Sequence, residues 1–255
     1  MGKIISVVNQ KGGVGKTTTA VNLSAGIGKL GKKVLIIDAD PQGNTTSAYG
    51  ITKQNLVHSV YDLLIGKTRA EFAVIKSEFE NVDVIPCNMD LAGAEVELIS
   101  IENRESQLKT ALSEIRADYD FIFIDCPPSL GLITINALCA SDTVLVPIQC
   151  EYFALEGLSQ LMASVRQVKR LYNPTLELEG VLLTMFDGRL NLTQQVVGEV
   201  KKFFAKELFS TTIPRAVRLS EAPSYGMPIQ YYDPRNKGAQ AYDALSAEFS
   251  KRNRR

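Results

Sequence analysis

The sequence predicts an α/β fold in which helices cover both faces of a doubly wound, mostly parallel sheet. Short apolar segments alternate with longer helical patterns, which is the order that parallel strands joined by crossover helices require. The apolar segments are almost continuous in Ile, Val, Phe and Leu, as expected of strands that are covered on both faces. A glycine-rich stretch between the first strand and the first helix indicates a fold of the phosphate-loop nucleotide-binding type.

Six strands and seven helices account for this alternation. The strands are predicted at residues 4–8, 33–37, 82–85, 121–124, 143–147 and 180–185. The helices are predicted at residues 17–29, 59–64, 102–116, 134–140, 156–172, 192–207 and 239–251. Ligands of such sheets bind at the carboxyl ends of the strands, so the polar residues that follow each strand are the candidates for function.

The composition limits the possible partners. The chain has 255 residues, of which 45% are hydrophobic, and no change of composition divides it, so we expect a single domain over residues 1–255. Lysine and arginine together number 28, as do aspartate and glutamate, so the net charge is zero. A protein that binds nucleic acid constitutively would be basic, so any DNA binding here must be local or must depend on assembly.

The four cysteines have no metal-binding spacing. Cys87, Cys126, Cys139 and Cys150 are scattered and form no C-x-x-C pair, which predicts reduced thiols in the core. The sequence shows no signal peptide, and no apolar run approaches the length of a membrane span. We therefore expect a cytoplasmic protein.

The segment NQKGGVGKTT at residues 9–18 carries the strongest functional signal. A glycine-rich turn between a strand and a helix places backbone N–H groups and a helix N-terminus around a phosphate. Lys16 is expected to reach the outer phosphates and Thr17 to hold Mg²⁺. The standard spacing has a glycine where this chain has Gln10, and a second lysine, Lys11, follows, which makes this the deviant form of the loop. The predicted nucleotide-binding residues are Lys11, Gly12, Gly13, Val14, Gly15, Lys16, Thr17 and Thr18.

Aspartates follow two of the predicted strands. The strand at 33–37 is followed by DADPQG at 38–43, an acidic turn in which a carboxylate could orient a water molecule or reach Mg²⁺ through water. The strand at 121–124 ends at Asp125, which is the pattern of a second Mg²⁺ partner. Both aspartates are expected at the ligand-binding edge of the sheet, near the glycine loop.

With these motifs in place, the chain resembles the ParA/MinD family of deviant phosphate-loop ATPases and, within it, the small chromosomal ParA proteins. Relatives that bind operators carry a helix-turn-helix domain before the loop, and here the loop follows the first strand directly, so no such domain is expected. The resemblance to the ParA/MinD family covers nearly the whole length of this chain. It includes NQKGGVGKTTTAVNL at 9–23, DADPQGN at 38–44, LAGAEVEL at 91–98, DCPPSLGLITINAL at 125–138, QCEYFALEGLSQL at 149–161 and IPRAVRLSEAPSYGMPI at 213–229.

The resemblance implies an ATPase that hydrolyses ATP to ADP and phosphate with Mg²⁺ as cofactor. Lys16 matches the lysine that binds the phosphates within its own subunit, and Thr17 matches the Mg²⁺ ligand. Asp40 matches the aspartate that positions the attacking water, and Asp125 matches a carboxylate that holds Mg²⁺ indirectly. The catalytic residues implied by the family are Lys11, Lys16 and Asp40.

The resemblance also implies a nucleotide-dependent homodimer that binds DNA without sequence preference. Lys11 matches the lysine that reaches the partner's ATP, and Gly12 lies where the backbones of two subunits approach closely. Arg189 and Arg218 match the arginines that contact DNA, and Pro214 matches a residue beside the adenine. A ParB-type partner stimulates hydrolysis and releases the dimer, so the expected location is the nucleoid.

Two other functions are compatible with a deviant loop. A membrane-associated division-site ATPase of the MinD type ends in a basic amphipathic helix, whereas residues 244–255 offer only Leu245 and Phe249 as large apolar side chains. This pair is more typical of core packing, so no membrane binding is expected. An iron–sulfur ATPase resembling the nitrogenase iron protein would need Cys87 and Cys126 near the dimer axis, but both lack the glycine-rich flanks of that family.

Overall fold

A seven-stranded sheet forms the centre of the protein. The structure, a computed structural model, describes residues 1–151 and 154–254; two residues of the stretch at 149–161, and Arg255, lie outside the described residues. The strands are β1 (Lys3–Val7), β2 (Val34–Asp38), β3 (Ile75–Lys76), β4 (Val82–Ile85), β5 (Phe121–Asp125), β6 (Thr143–Gln149) and β7 (Glu177–Thr184). Their spatial order is β3-β4-β2-β5-β1-β6-β7, and only β3 runs antiparallel to its neighbour. The predicted, mostly parallel sheet is therefore confirmed.

Helices cover both faces of this sheet. In the described part of the chain they are α1 (Lys16–Lys29), α2 (Asn44–Ala48), α3 (Val60–Leu64), α4 (Ala70–Ala73), α5 (Leu91–Glu97), α6 (Gln107–Ser113), α7 (Leu132–Ala140), α8 (Ala154–Leu171), α9 (Asn191–Phe204), α10 (Val217–Glu221), α11 (Ile229–Tyr232) and α12 (Lys237–Arg252). Helices α1, α2 and α10–α12 pack on one face, and α3–α9 pack on the other. None of the helices in these residues is long and apolar enough to cross a membrane.

The structure corrects two parts of the predicted secondary structure. The helix predicted at 102–116 is only half as long, because Asn103 has a φ of 52° and a left-handed residue cannot continue a right-handed helix. The edge strand β3 and the short helices α2, α4, α5, α10 and α11 were not predicted. Each has seven residues or fewer, which is too short for an apolar period to show in the sequence.

The C-terminal helix belongs to the core. Leu245 and Phe249 are fully buried, as the sequence indicated. The ring of Phe249 packs on Phe121 and Phe123 of β5, with ring centroids 5.3 and 5.6 Å apart. Because α12 uses these side chains to bury one face of the sheet, it presents neither of them to a membrane surface.

The strand register brings the predicted site residues to one edge. In the parallel ladders, Asp125 of β5 lies opposite Asp38 of β2 on one side and opposite Val7 of β1 on the other. The glycine loop that follows β1 therefore begins beside both strand-end aspartates. The carboxyl edge of the three central strands is the place where the sequence motifs meet.

Candidate nucleotide-binding site

Asn9 ties the start of the glycine loop to the sheet. The Asn9 side chain accepts a hydrogen bond from the Lys11 N–H (3.0 Å) and donates one to the carbonyl of Pro147 in β6 (2.7 Å). Gly13 and Gly15 have φ values of 75° and 86°, a conformation that side chains rarely adopt, so these two glycines are required by the turn itself. The loop thus has a fixed shape before any ligand arrives.

Helix α1 offers an anion-binding N-terminus. Its first turn contains no acidic residue, and its N-cap, Gly15, supplies no side chain to cap the helix. The free N–H groups and the helix dipole therefore favour a phosphate at this end. Lys16 lies over the loop and donates to the Lys11 carbonyl (3.0 Å). Its side chain is only 7% exposed, and burial lowers the pKa of Lys16 although Asp125 and Asp40 act in the opposite direction.

Two buried carboxylates lie beneath the loop. Asp38 and Asp125 have no solvent exposure. Oδ2 of Asp38 accepts from both the N–H and the hydroxyl of Thr46, each at 2.7 Å, and Oδ2 of Asp125 accepts from the Thr45 hydroxyl at 2.8 Å. Burial raises the pKa of Asp38 to about 6. Burial and the neighbouring Asp38 raise the pKa of Asp125 to about 7, while the hydroxyls of Thr17 and Thr45 lower it in part.

The donor set at Asp125 fits Mg²⁺. Its Oδ1 is buried and, among the described residues, has no hydrogen-bond partner. A buried carboxylate oxygen without a partner is costly unless a cation or an ordered water compensates it. The Thr17 hydroxyl lies close enough to lower the pKa of Asp125, so a hydroxyl and a carboxylate, both hard oxygen ligands, face the same place.

Asp40 is held in a tight turn at the edge of this cluster. Its Oδ1 accepts from the Gln42 N–H (3.0 Å), its carbonyl accepts from the Gly43 N–H (2.8 Å), and its own N–H donates to Oδ1 of Asp38 (3.3 Å). Gly43 has a φ of 65°. Asp40 is 8% exposed, so its carboxylate reaches solvent only at the open side of the site. The structure therefore brings Lys16, Thr17, Asp40 and Asp125 together, as the sequence predicted.

Several supporting residues were missed by the sequence reasoning. Thr45 and Thr46 bind the two buried aspartates, and the Thr184 hydroxyl donates to the Val14 carbonyl of the loop (2.8 Å). A signal was available for the first two, because hydroxyl residues directly follow the acidic turn in Asn44-Thr45-Thr46. Thr184 ends a strand far away in the sequence, and only the sheet order places it beside the loop.

Lys11 and Gly12 occupy the outer rim of the loop. The Lys11 side chain runs along α8, where a Cβ added to Gly157 would lie 3.5 Å from Cε. Gly12 differs from Gly13 and Gly15 because it does not have a positive φ. A Cβ added at Gly12 would meet no described atom within 4 Å. The subunit's own structure therefore does not require glycine at position 12.

A cavity of about 380 Å³ opens beside the loop, next to Gly15 and Thr18. Pro214 lies in its wall, as the family resemblance suggested. Beside Pro214 in the same wall, the chain leaves β7 at Met185, whose φ of 49° is unusual for a residue with a side chain. The volume is in the range of small-ligand sites, and its position beside the first turn of α1 suits the base and ribose of a nucleotide.

Arg189 lies in the turn between β7 and α9, and Arg218 lies in the short helix α10 rather than in a loop. The Arg189 guanidinium is 90% exposed and binds Asp187 through two hydrogen bonds of 2.9 and 2.6 Å. Arg218 donates to Glu221 (2.8 Å) and to the hydroxyl of Tyr232 (3.2 Å). Both arginines are thus accessible, and both are paired with carboxylates of the same chain.

The loop, the buried lysine and the strand-end carboxylates together define a phosphate-loop nucleotide-binding protein. The AAA domain family matches residues 2–178. The chain is 56% identical to the sporulation initiation inhibitor protein Soj of Bacillus subtilis, over 97% of this chain and 98% of that protein. It is 50% identical to the chromosome partitioning protein ParA of Myxococcus xanthus, over 99% of this chain and 89% of that protein. The chain belongs to the ParA/MinD family.

Solved structures agree with this assignment. Cobyrinic acid a,c-diamide synthase from Mycobacterium smegmatis, with bound ADP and magnesium, is 36% identical with a TM-score of 0.84, over 97% of this chain and 93% of that one. The septum site-determining protein MinD of Pyrococcus horikoshii, complexed with Mg-ADP, is 28% identical with a TM-score of 0.80, over 98% of this chain and 97% of that one. The fold therefore recurs in proteins that hold magnesium with an adenine nucleotide.

Proposed function

We propose that the chain is an ATPase that partitions chromosomes or plasmids, with Mg²⁺ as its cofactor. The observation that carries the proposal is the buried cluster under the glycine loop. Lys16 is a buried cation placed at an anion-binding helix N-terminus, and Asp125 is a buried carboxylate with one oxygen unpaired in the described chain. Each of these groups needs an opposite charge, and a metal-bound nucleotide supplies both.

Each residue of the cluster has a defined task in hydrolysis. The loop N–H groups and the first turn of α1 bind the phosphates, and Lys16 binds those at the outer end. Thr17 and Asp125 hold Mg²⁺, which neutralises phosphate charge when it is bound. Asp40 orients the attacking water, because the Gln42 N–H fixes the direction of its carboxylate at the edge of the site.

Gly12 and Lys11 support the idea of a nucleotide-dependent homodimer. No described atom fills the space beside Gly12, which lies on the outer rim of the loop, so a second backbone could pass close to the loop there. Lys11 lies on the same rim and would extend to the phosphates of the partner's nucleotide. Two identical loops facing one another give an interface that closes on itself, as in most homodimers.

The dimer is the DNA-binding form in this proposal. Arg189 and Arg218 would exchange their carboxylate partners for DNA phosphates, which carry no base information, so binding is independent of sequence. The net charge of zero makes the monomer a weak binder. Two arginine surfaces held in one dimer bind at high effective concentration. A ParB-type partner that stimulates hydrolysis would then release the protein from the nucleoid.

The structure offers little support for the two alternative functions. The large apolar residues of α12, Leu245 and Phe249, are buried in the core rather than presented to a membrane. Cys87 and Cys126 are both buried, and burial raises the pKa of each thiol, with nearby carboxylates adding to the rise. Thiols in such an environment are poor metal ligands, because the thiolate is the form that binds.

The test is nucleotide-dependent DNA binding by the wild type and by the double variant Arg189→Glu/Arg218→Glu. The wild type should bind unrelated duplexes with equal affinity, with ATP and not with ADP. Each lost phosphate contact should lower the log–log salt slope by roughly 0.9, so the double variant should bind every duplex more weakly and with a shallower slope. ATP binding and dimer formation should be retained.

Arg69→Glu is the matched control, because Arg69 is also an exposed arginine paired with carboxylates, Glu71 and Glu114. Its DNA affinity should equal that of the wild type. Unchanged affinity and salt slope in the double variant, with dimerisation intact, would move the DNA surface to another part of the molecule. Sedimentation of the wild type with liposomes would instead favour the MinD-type alternative.

A further inference from the structure

Lys53, which lies outside every motif, closes the outer side of the Asp40 turn. It follows α2 in the surface segment that leads to α3, and its Nζ donates to the Gln42 carbonyl at 2.8 Å. Its stem crosses Gly43 so closely that an added Cβ there would lie 2.5 Å from Lys53 Cδ. The lysine therefore contacts the turn through both its alkyl chain and its ammonium group.

Lys53 binds the peptide group between Gln42 and Gly43, which is part of the hydrogen-bonded turn. The peptide between Gln42 and Gly43 is held at its N–H by the Asp40 carbonyl (2.8 Å) and at its C=O by Lys53. The preceding N–H, that of Gln42, fixes the Asp40 carboxylate (3.0 Å). A rotation of this peptide would therefore change the direction in which the carboxylate points.

Two different groups enclose the turn, one on its inner side and one on its outer side. On the inner side, the Cys87 carbonyl lies 3.0 Å from the position of a Cβ at Gly43, so the turn is enclosed between the backbone at Cys87 and the Lys53 side chain. Gly43 has a φ of 65° and itself supplies no side chain to the turn. The ammonium of Lys53 is the group that holds the exposed carbonyl in place.

We propose that Lys53 is a positioning residue for hydrolysis, which keeps the Asp40 turn in the geometry that orients the attacking water. This inference rests on the proposed function of Asp40. Lys53 does not touch the phosphates, so it should affect turnover without affecting ATP affinity. A small displacement of a catalytic group can lower a rate strongly while leaving ground-state binding unchanged.

The experiment compares Lys53→Met with Lys53→Arg in the full-length protein, with Lys67→Met as the control. Methionine keeps an unbranched stem over Gly43 and removes the charge, whereas arginine restores a donor to the Gln42 carbonyl. Lys67 is an exposed lysine whose Nζ donates to the Tyr61 hydroxyl at 3.4 Å, and it is not part of the Asp40 turn. Kd for Mg-ATP, kcat for phosphate release and thermal stability are measured for each variant.

Lys53→Met should lower kcat by about three- to tenfold with Kd for ATP unchanged within about twofold. Lys53→Arg should recover most of the rate, and Lys67→Met should match the wild type. Unchanged kcat in Lys53→Met would overturn the inference. A loss of ATP affinity and thermal stability together with kcat, not restored in Lys53→Arg, would also overturn it, because that pattern indicates a structural role alone. If Lys53→Met does not fold, Lys53→Gln, which also lacks the charge, gives the same comparison.

The same assay distinguishes this inference from the function on which it rests. Asp40→Ala should remove most turnover while ATP binding persists. If Asp40→Ala hydrolyses ATP at the wild-type rate, the proposed role of Asp40 is wrong. If Asp40→Ala is inactive and Lys53→Met has the wild-type rate, the role of Asp40 stands and only the inference about Lys53 fails.

Discussion

The carboxyl edge of the sheet and the two exposed arginines, Arg189 and Arg218, both carry charge, but they hold it in different ways. Asp38 and Asp125 are fully buried, and adjacent strands fix their separation through the ladder register. Arg189 and Arg218 lie at the surface, and each is paired with a carboxylate only two or three residues away. The first pair is part of the core, and the second pair can rearrange without disturbing it.

This difference separates a site that is built in advance from one that can be switched. Buried charges depend strongly on their partners, because an uncompensated charge in the interior is expensive. Exposed ion pairs contribute little to stability and exchange partners readily. We infer that nucleotide chemistry uses the carboxyl edge around Asp38 and Asp125, the rigid region. Arg189 and Arg218 form the switchable region, where DNA phosphates can displace Asp187 and Glu221 once two subunits have joined.

The largest effect is expected within the rigid region, from Lys16 and Asp40. Lys16→Ala should weaken ATP binding by about 100-fold or more, because the phosphates lose a buried cation. Asp40→Ala should retain ATP binding and lower turnover by about 100-fold, because its task is to orient water. Calorimetric ATP binding and phosphate release measure the two quantities separately. An equal loss of ATP binding in both variants would contradict this division of roles.

The rigid region was also the part that the sequence predicted well. Its residues follow strands and carry motif spacings, so Lys16, Thr17, Asp40 and Asp125 could be assigned to one edge before the structure was known. What the sequence did not reveal is how the cluster is supported. Thr184 reaches the loop only through the spatial order of strands, and a strand order is set by packing between segments that are distant in the chain.

For the switchable region, the sequence predicted which two arginines are involved but not the residues that bind them. The family resemblance marked Arg189 and Arg218, but it did not indicate that Glu221 and Tyr232 bind Arg218 or that Asp187 binds Arg189. The pairs with Asp187 and Glu221 depend on local backbone geometry and the pair with Tyr232 on the packing of α10 against α11, and residue type alone determines neither. The same reason explains the helix that begins at Gln107 rather than at residue 102, because the left-handed Asn103 precedes it.

The next effect concerns Gly12, on the outer rim of the glycine loop. Gly12→Val should bind ATP with nearly wild-type affinity as a monomer and should lower ATP-dependent dimer formation more than about tenfold, because a branched side chain would separate the subunits. Light scattering with ATP measures this change. Gly198→Val is a suitable control, since a Cβ at Gly198 also meets no described atom within 4 Å. A normal dimer of Gly12→Val would place the interface elsewhere.

A smaller effect should appear in the stability of the rigid region. The pKa of Asp125 is about 7 in the folded protein, well above that of an exposed aspartate, so the native state binds the extra proton. Without nucleotide and Mg²⁺, this carboxyl therefore makes the fold less stable as pH rises from about 4 to about 7. Asp125→Asn removes that penalty, and its melting temperature should exceed that of the wild type by several degrees at pH 8.

At pH 5 the two proteins should melt at nearly the same temperature, because wild-type Asp125 is already protonated there. Asp243→Asn, at an exposed position of α12, controls for the loss of a negative charge and should show no such pH dependence. A difference between Asp125→Asn and the wild type that is equal at both pH values would indicate that packing, and not ionisation, determines the stability of this site.

The smallest effect on stability is expected from Arg189 and Arg218. Arg189→Ala/Arg218→Ala should change the melting temperature by less than about 1 °C, because the side chains are exposed and their ion pairs compete with water and salt. The same double variant should lose DNA affinity, so stability and DNA binding separate. Asp125→Ala is the counterpart in the rigid region and should alter both stability and ATP binding. If the arginine variant instead melts several degrees lower, its ion pairs are structural, and they could not be given up to DNA phosphates at little cost.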